Sequence, residues 1–160
     1  MKVVFESKNI YFVEVSKEFI NDYLVMMNDN ENVNRFFGVS NKVFTYEDES
    51  KWVEDEINAN ALVWSMIEKA SNKFIGNIEL MEMDDNGKEL GIAITANMQN
   101  KGYGTEAINT LLQYAKEKLQ LKKIFLRTRL YNERAIHVYQ KCGFSVYKED
   151  QERYYMEIDL

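Results

Sequence analysis

The stretch Gln99-Asn100-Lys101-Gly102-Tyr103-Gly104-Thr105 holds residues whose types and spacing could do chemistry. Two glycines one residue apart let a backbone turn sharply and come close to a ligand. A helix-periodic segment follows, and the first amides of a helix have no partners within it. The helix dipole is positive at that end, so those amides form a site for an anion. Lys101 adds a point charge. The chemistry indicated is the binding of a phosphate or pyrophosphate, although an ordinary strand-to-helix turn would use the same residues. The stretch is not a P-loop, because no Gly-Lys-Ser/Thr follows at the required distance. It also lacks the third glycine of the dinucleotide fingerprint.

Gln99-x-x-Gly102-x-Gly104 resembles the acyl-CoA pyrophosphate loop of the GNAT superfamily of N-acetyltransferases. A second signature of that family, Asn132-x-x-Ala135-x-x-x-Tyr139-x-x-x-Gly143-Phe144, follows in the expected order. Within the superfamily, the stretches GNIEL, ELGIAI, QNKGYG and NERAIHVYQKCGFSV look most like spermidine and ribosomal-protein N-terminal acetyltransferases. The resemblance implies that acetyl-CoA, as co-substrate, lies in a wedge between two splayed parallel strands. Its pantetheine would pair with Ile92, Ala93 and Ile94, and its pyrophosphate would rest on the amides of Gln99, Asn100, Lys101, Gly102, Tyr103, Gly104 and Thr105. Asn132 and Ala135 would face the cofactor arm. Tyr139, seven residues after Asn132 on the same helical face, would protonate the departing thiolate. A packed aromatic is the plainer reading of that tyrosine. The resemblance further implies that Glu79 accepts the proton of the amine, with Glu89 or a water chain as competitors; either glutamate could instead be a solvated strand residue. One departure stands out: Ala96-Asn97 replaces the Pro-Glu that commonly precedes the loop.

The elements that must position these groups follow from periodicity. Ile10–Val15 reads as a strand, and Ser16 then caps a helix reaching Met27. Asn28–Asn41 is a polar loop whose Phe36–Phe37 pair suggests that it folds over something. Tyr46–Asn58 is an acidic amphipathic helix with Trp52, Val53 and Ile57 on its apolar stripe. Strands are expected at Ala61–Glu68, Lys73–Met83 and Lys88–Ala96, joined by turns at Ala70–Asn72 and at Asp84-Asp85-Asn86-Gly87. Gly104–Leu119 is a helix, Lys123–Leu130 a strand, and Asn132 caps a helix that Gly143 ends. Phe144–Lys148 and Arg153–Ile158 close the chain as strands. The order βααβββαβαββ predicts one domain over residues 1–160. Its class is α+β: a mixed, mostly antiparallel sheet of about 6–7 strands flanked by about 4 helices, as in the GNAT fold.

The composition suits a folded domain: 160 residues, 46% hydrophobic and 13% aromatic, with no proline. A net charge of −6 makes nucleic acid a poor partner and favours cationic small molecules. The basic set Lys122, Lys123, Arg127 and Arg129 has no aromatic stacking platform beside it. One cysteine, Cys142, and one histidine, His137, leave no disulfide and no usual zinc ligand set, so no metal is expected. Cys142 reads as a small buried residue, and His137 points about 160° from Tyr139 at ~100° per residue. No run of ~18 apolar residues spans a membrane and no signal peptide is visible, so the expected location is cytoplasmic, with a homodimer permitted. Glu31, Glu47, Asp48 and Glu49 border the loop, where they could steer a cation or simply be exposed. The expected enzyme is an N-acetyltransferase acting on a primary amine, most simply a polyamine or a protein N-terminus. An amino-sugar or aminoglycoside acetyltransferase, an inactive CoA-binding module and a nucleotide binder are the alternatives.

Overall fold

Residues 74–82 and 88–94 alternate inward and outward side chains, so each strand presents one face to each of two helical layers. The computed structural model describes residues 1–37, 42–83 and 87–160. Its strands are β1 (Val3–Glu6), β2 (Ile10–Glu14), β3 (Leu62–Glu68), β4 (Phe74–Glu82), β5 (Lys88–Ile94), β6 (Lys123–Arg129), β7 (Ser145–Glu149) and β8 (Arg153–Asp159). They form one sheet in the order β1-β2-β3-β4-β5-β6-β8-β7. The helices are α1 (Ile20–Met27), α2 (Tyr46–Asn58), α3 (Tyr103–Glu117) and α4 (Glu133–Lys141).

The mixed α+β class and the four helices are as expected; the sheet has one strand more. The additional strand is β1. Its four residues are too short a run to show alternation, and tertiary contacts hold it: Phe5 stacks on Phe12 at 4.4 Å and on Tyr114 at 4.1 Å. Residues 84–86 of the expected Asp-Asp-Asn-Gly turn and 38–41 of the expected loop lie outside the described residues.

On one face of the sheet, α3 buries Ala107, Ile108, Leu111, Leu112 and Ala115 against Ile78, Leu80, Leu90, Ile124 and Leu126. Each fully buried Leu or Ile contributes roughly 1.5–3 kcal/mol. On the other face, Ile20, Tyr23 and Met26 of α1 and Val53 of α2 pack with Val13, Ile67 and Phe74. Ser16 caps a 3-10 turn, Lys17–Phe19, that leads into α1; its Oγ accepts from the Glu18 amide at 3.2 Å. A capping box starts α2, with the Thr45 amide donating to Asp48 at 2.9 Å and the Asp48 amide to Thr45 at 3.2 Å. The orientation of α2 corrects one expectation. Ile57 is 53% exposed, and the half-buried Glu56 takes the inward position beside Trp52 and Val53.

One parallel pairing decides the site. β5 and β6 are in register only at Lys88↔Ile124 and Glu89↔Phe125, while the other adjacent strands described pair antiparallel. Beyond Glu89 the two strands part, and the backbone of residues 90–94 keeps its bonds to β4 alone. The fork leaves an open strand edge in the middle of the sheet.

Candidate active site

A cleft of about 250 Å³ runs from the fork to the start of α3 and along α4. Ile92, Ala93 and Ile94 line it from β5. Gln99, Asn100, Gly102, Tyr103, Gly104 and Thr105 line it from the loop, and Asn132, Ala135 and Tyr139 from α4 and its cap. Segments 40 residues apart thus meet around one space. Lys101 is exposed and outside the lining.

The loop has the backbone of an anion cradle. Asn100 (φ 62°) and Gly102 (φ 86°) adopt left-handed conformations on either side of Lys101. Gly102 is the N-cap of α3 and has no side chain to cap it, and the first helical bond runs from the Glu106 amide to the Gly102 carbonyl at 3.2 Å. The amides of Tyr103, Gly104 and Thr105 therefore have no acceptor within the helix. A Cβ on Gly102 would meet nothing within 4 Å, so space above the loop is open and only the left-handed backbone demands glycine there. Side chains brace the cradle. Gln99 Nε2 donates to the Ile94 carbonyl at 2.9 Å and to the Asn32 carbonyl at 3.2 Å; Arg134 donates to Gln99 Oε1 at 2.8 Å and to Asn100 Oδ1 at 3.3 Å. These residues fit a ligand carrying a pyrophosphate beside an extended arm. Asn132 holds the N-cap position of α4 without a side-chain capping bond and faces the cleft instead.

The phenol of Tyr139 reaches the cleft from α4, its ring edge-on to Phe144 at 6.2 Å between centroids. Burial first, and the neighbouring Cys142 second, push its pKa up to about 12. It stays protonated throughout the working range of an enzyme. Cys142 is half-buried rather than buried, with its thiol directed at the Thr105 carbonyl, and His137 is exposed.

Glu79 stands on the other face of the sheet, between β4 and α2. Its register partner on β5 is Gly91, and the carboxylate lies over that glycine: a Cβ there would come within 3.1 Å of Glu79 Oε1. Burial, then the charges of Glu56 and Glu89, push its pKa up to about 7. Glu89 has a different engagement, a two-point ion pair with Arg127 at 2.9 Å for each contact. On the same face as Glu79, Asn77 accepts from Ser65 at 2.8 Å, and Ser65 meets the buried Tyr23 hydroxyl at 2.6 Å. Of the four acids bordering the loop, Glu31, Glu47 and Asp48 are exposed, but Glu49 is only 5% exposed, and burial raises its pKa. The α2 face turned to the sheet therefore carries Glu49 and Glu56 as well as apolar side chains.

The segment around Phe36 and Phe37, expected to fold over something, supplies part of the wall. Asn32, Val33, Phe36 and Phe37 close the cleft from the segment after α1, where Tyr131 donates to the Arg35 carbonyl at 3.0 Å. The Phe36–Phe37 pair was the signal for this. Arg127 and Arg134 also line the cleft, and no local spacing marks either. Among the described residues no three His, Cys, Asp or Glu side chains converge to hold a metal ion, and no helix is long and apolar enough to cross a membrane.

Comparison with known proteins agrees with this architecture. Residues 9–145 match the acetyltransferase (GNAT) domain. A spermidine N(1)-acetyltransferase of Vibrio cholerae is 29% identical over 120 residues, 74% of this chain and 69% of that protein. A second, from Escherichia coli K12, is 38% identical over 73 residues, 44% of this chain and 39% of that protein. The fold recurs in the crystal structure of spermidine N-acetyltransferase from Vibrio cholerae in complex with CoA and spermine. There the TM-score is 0.82 at 21% identity, covering 96% of each chain. A GNAT-family acetyltransferase from Bacillus anthracis gives 0.84 at 20% identity, covering 99% of this chain and 98% of that one. With the family's domain matched over most of its length and the forked sheet that the resemblance implied, this chain belongs to the GNAT acetyltransferases, enzymes that use acetyl-CoA.

Proposed function

We propose that the chain acetylates a primary amine of a polyamine, with Glu79 taking the amine's proton and Tyr139 giving one to the departing sulfur. The observation that carries this reading is the position of Glu79: a largely buried carboxylate beside the fork, flanked by Glu56 and opposed by no cation of its own among the described residues. Such a surrounding attracts an ammonium group and can deprotonate it near neutral pH. The spermidine acetyltransferases among its relatives support the same substrate class.

Acetyl-CoA supplies an activated acyl thioester. The residues proposed to hold it are the free edge of Ile92–Ile94, the amides of Gln99–Thr105, and Asn132 and Ala135 along the arm. On the acceptor side, the ammonium loses a proton to Glu79 and the free nitrogen attacks the acyl carbon. As the carbon–sulfur bond breaks, Tyr139 transfers its hydroxyl proton to sulfur. The nitrogen, still carrying one surplus proton after attack, releases it to solvent as the amide forms, and the phenolate recovers a proton from the same solvent. The walls at Val33, Phe36 and Met98 keep bulk water from the acyl group.

The test is a panel of amines assayed for CoA release: spermidine, spermine, peptides with free N-termini, an aminoglycoside and an amino sugar. The polyamines are expected to give the highest kcat/KM. A peptide or sugar turned over faster would overturn the substrate assignment, and no release with any amine would reduce the chain to a CoA-binding module.

The cofactor side is checked separately. Acetyl-CoA, unlike ATP, is expected to raise the melting temperature by mass action. Gly104→Glu should abolish that rise while leaving the ligand-free melting temperature nearly unchanged. A Cβ at 104 makes only ordinary contacts, 3.6 Å to Ile94 and 3.8 Å to Val138, but the carboxylate beyond it would enter the cleft and repel phosphate. Undiminished stabilisation of the variant by acetyl-CoA would remove the loop from the binding site.

A further inference from the structure

Just past the last paired residues of the fork, Arg127 of β6 reaches back to β5. Its Nε and Nη2 each donate to Glu89 at 2.9 Å. The Glu89 side chain is 12% exposed and that of Arg127 is 49% exposed. Alternation places Glu89 on the same face of β5 as Gly91, the residue over which the Glu79 carboxylate lies. The ion pair and Glu79 therefore share one side of the sheet.

We propose that the Arg127–Glu89 pair is the charge regulator of the acceptor side, setting the pH above which Glu79 accepts a proton from the amine. This rests on Glu79 being the base. The charges that bear on Glu79 are Glu56 from α2 and Glu89 from β5, with Arg127 of β6 acting through Glu89. Its β3 partner is Val63, and its same-face neighbours on β4, Asn77 and Met81, carry no charge. The two members of the pair act on Glu79 with opposite signs. Removing Arg127 leaves Glu89 as an uncompensated like charge, so Glu79 holds its proton to higher pH. Removing Glu89 deletes a repelling neighbour and frees a cation, so Glu79 releases its proton at lower pH. Arg127 is thus a positioning residue for the base and not a group that touches the reacting atoms.

The experiment is the pH profile of kcat/KM for the best amine at saturating acetyl-CoA, measured for the parent, Arg127→Met, Arg127→Lys and Glu89→Gln. The acid limb should move up by about 0.5–1 pH unit in Arg127→Met and down by a similar amount in Glu89→Gln, and should stay close to the parent in Arg127→Lys. Both Arg127→Met and Glu89→Gln break the same ion pair, so a purely structural role would move both limbs the same way. Shifts of equal sign, or none, in a limb that Glu79→Gln removes would overturn this proposal alone. A limb that persists in Glu79→Gln would overturn the assignment of the base, and this proposal with it.

Discussion

Tyr139→Phe is expected to lower kcat for acetyl transfer by about 10²-fold and to leave acetyl-CoA affinity within about twofold. The substitution removes one oxygen and keeps the ring that packs edge-on against Phe144, so fold and cleft should survive. In the proposed mechanism, what disappears is the proton for the leaving sulfur, an interaction made in the transition state and not on binding. General acid catalysis of this kind is worth ~10²–10⁴-fold. The lower end is expected here for a reason visible in the structure. Burial holds the phenol at a pKa of about 12, whereas an ordinary thiol lies near ~8.5. Proton transfer is therefore complete only if the same burial also raises the proton affinity of the departing sulfur. The raised value has a second consequence: Tyr139 should impose no falling limb on the rate below about pH 10. Steady-state kinetics beside calorimetric affinity for acetyl-CoA decide the matter. An unchanged kcat would make Tyr139 a packing residue and leave the thiolate to solvent.

Glu79→Gln should lower kcat/KM near pH 8 by about 10²–10³-fold and remove an acid limb centred near pH 7. The same substitution should make the protein more stable. The native carboxyl has a pKa of about 7 against 4.5 for an unperturbed one, so between those values the folded state binds more protons than the unfolded state. The contribution of Glu79 to stability is then fully present below about pH 4.5 and is lost as pH rises through about 7. At pH 8 the parent carries an ionised, poorly solvated carboxylate that a neutral amide does not reproduce. A gain of about 2 kcal/mol is expected there, shrinking toward zero at pH 4. Chemical denaturation at the two pH values measures it. Equal effects at pH 4 and pH 8 would show that Glu79 is not held away from water as described.

The backbone of the Gln99–Thr105 loop was legible in the sequence because everything it needs is local. Sharp left-handed turns at Asn100 and Gly102, and the unsatisfied amides that begin α3, depend on a few consecutive backbone angles. The seven-residue step from Asn132 to Tyr139 was legible for the same reason: one helix sets it. The alternation of β4 and β5 and the amphipathic stripe of α3 likewise fixed which side chains face the core. The electrostatics of the acceptor side belong to tertiary structure. The family resemblance put Glu79 ahead of Glu89 as the base, but alternation by itself set neither apart from a solvated strand residue. They differ because Arg127, 38 residues from Glu89, neutralises one of them, while α2 brings Glu56 against the other. Glu49 read as an exposed acid bordering the loop and Ile57 as part of the apolar stripe, until packing turned Glu49 and Glu56 inward and left Ile57 outside. Periodicity shows that a helix has a buried face, but the exact rotation of α2 over the sheet depends on what Tyr23, Val13 and Phe74 offer it. Desolvation and the fields of distant charges depend on distances in space that no spacing along the chain encodes. The proton affinity of Glu79 was therefore decided only by the folded protein.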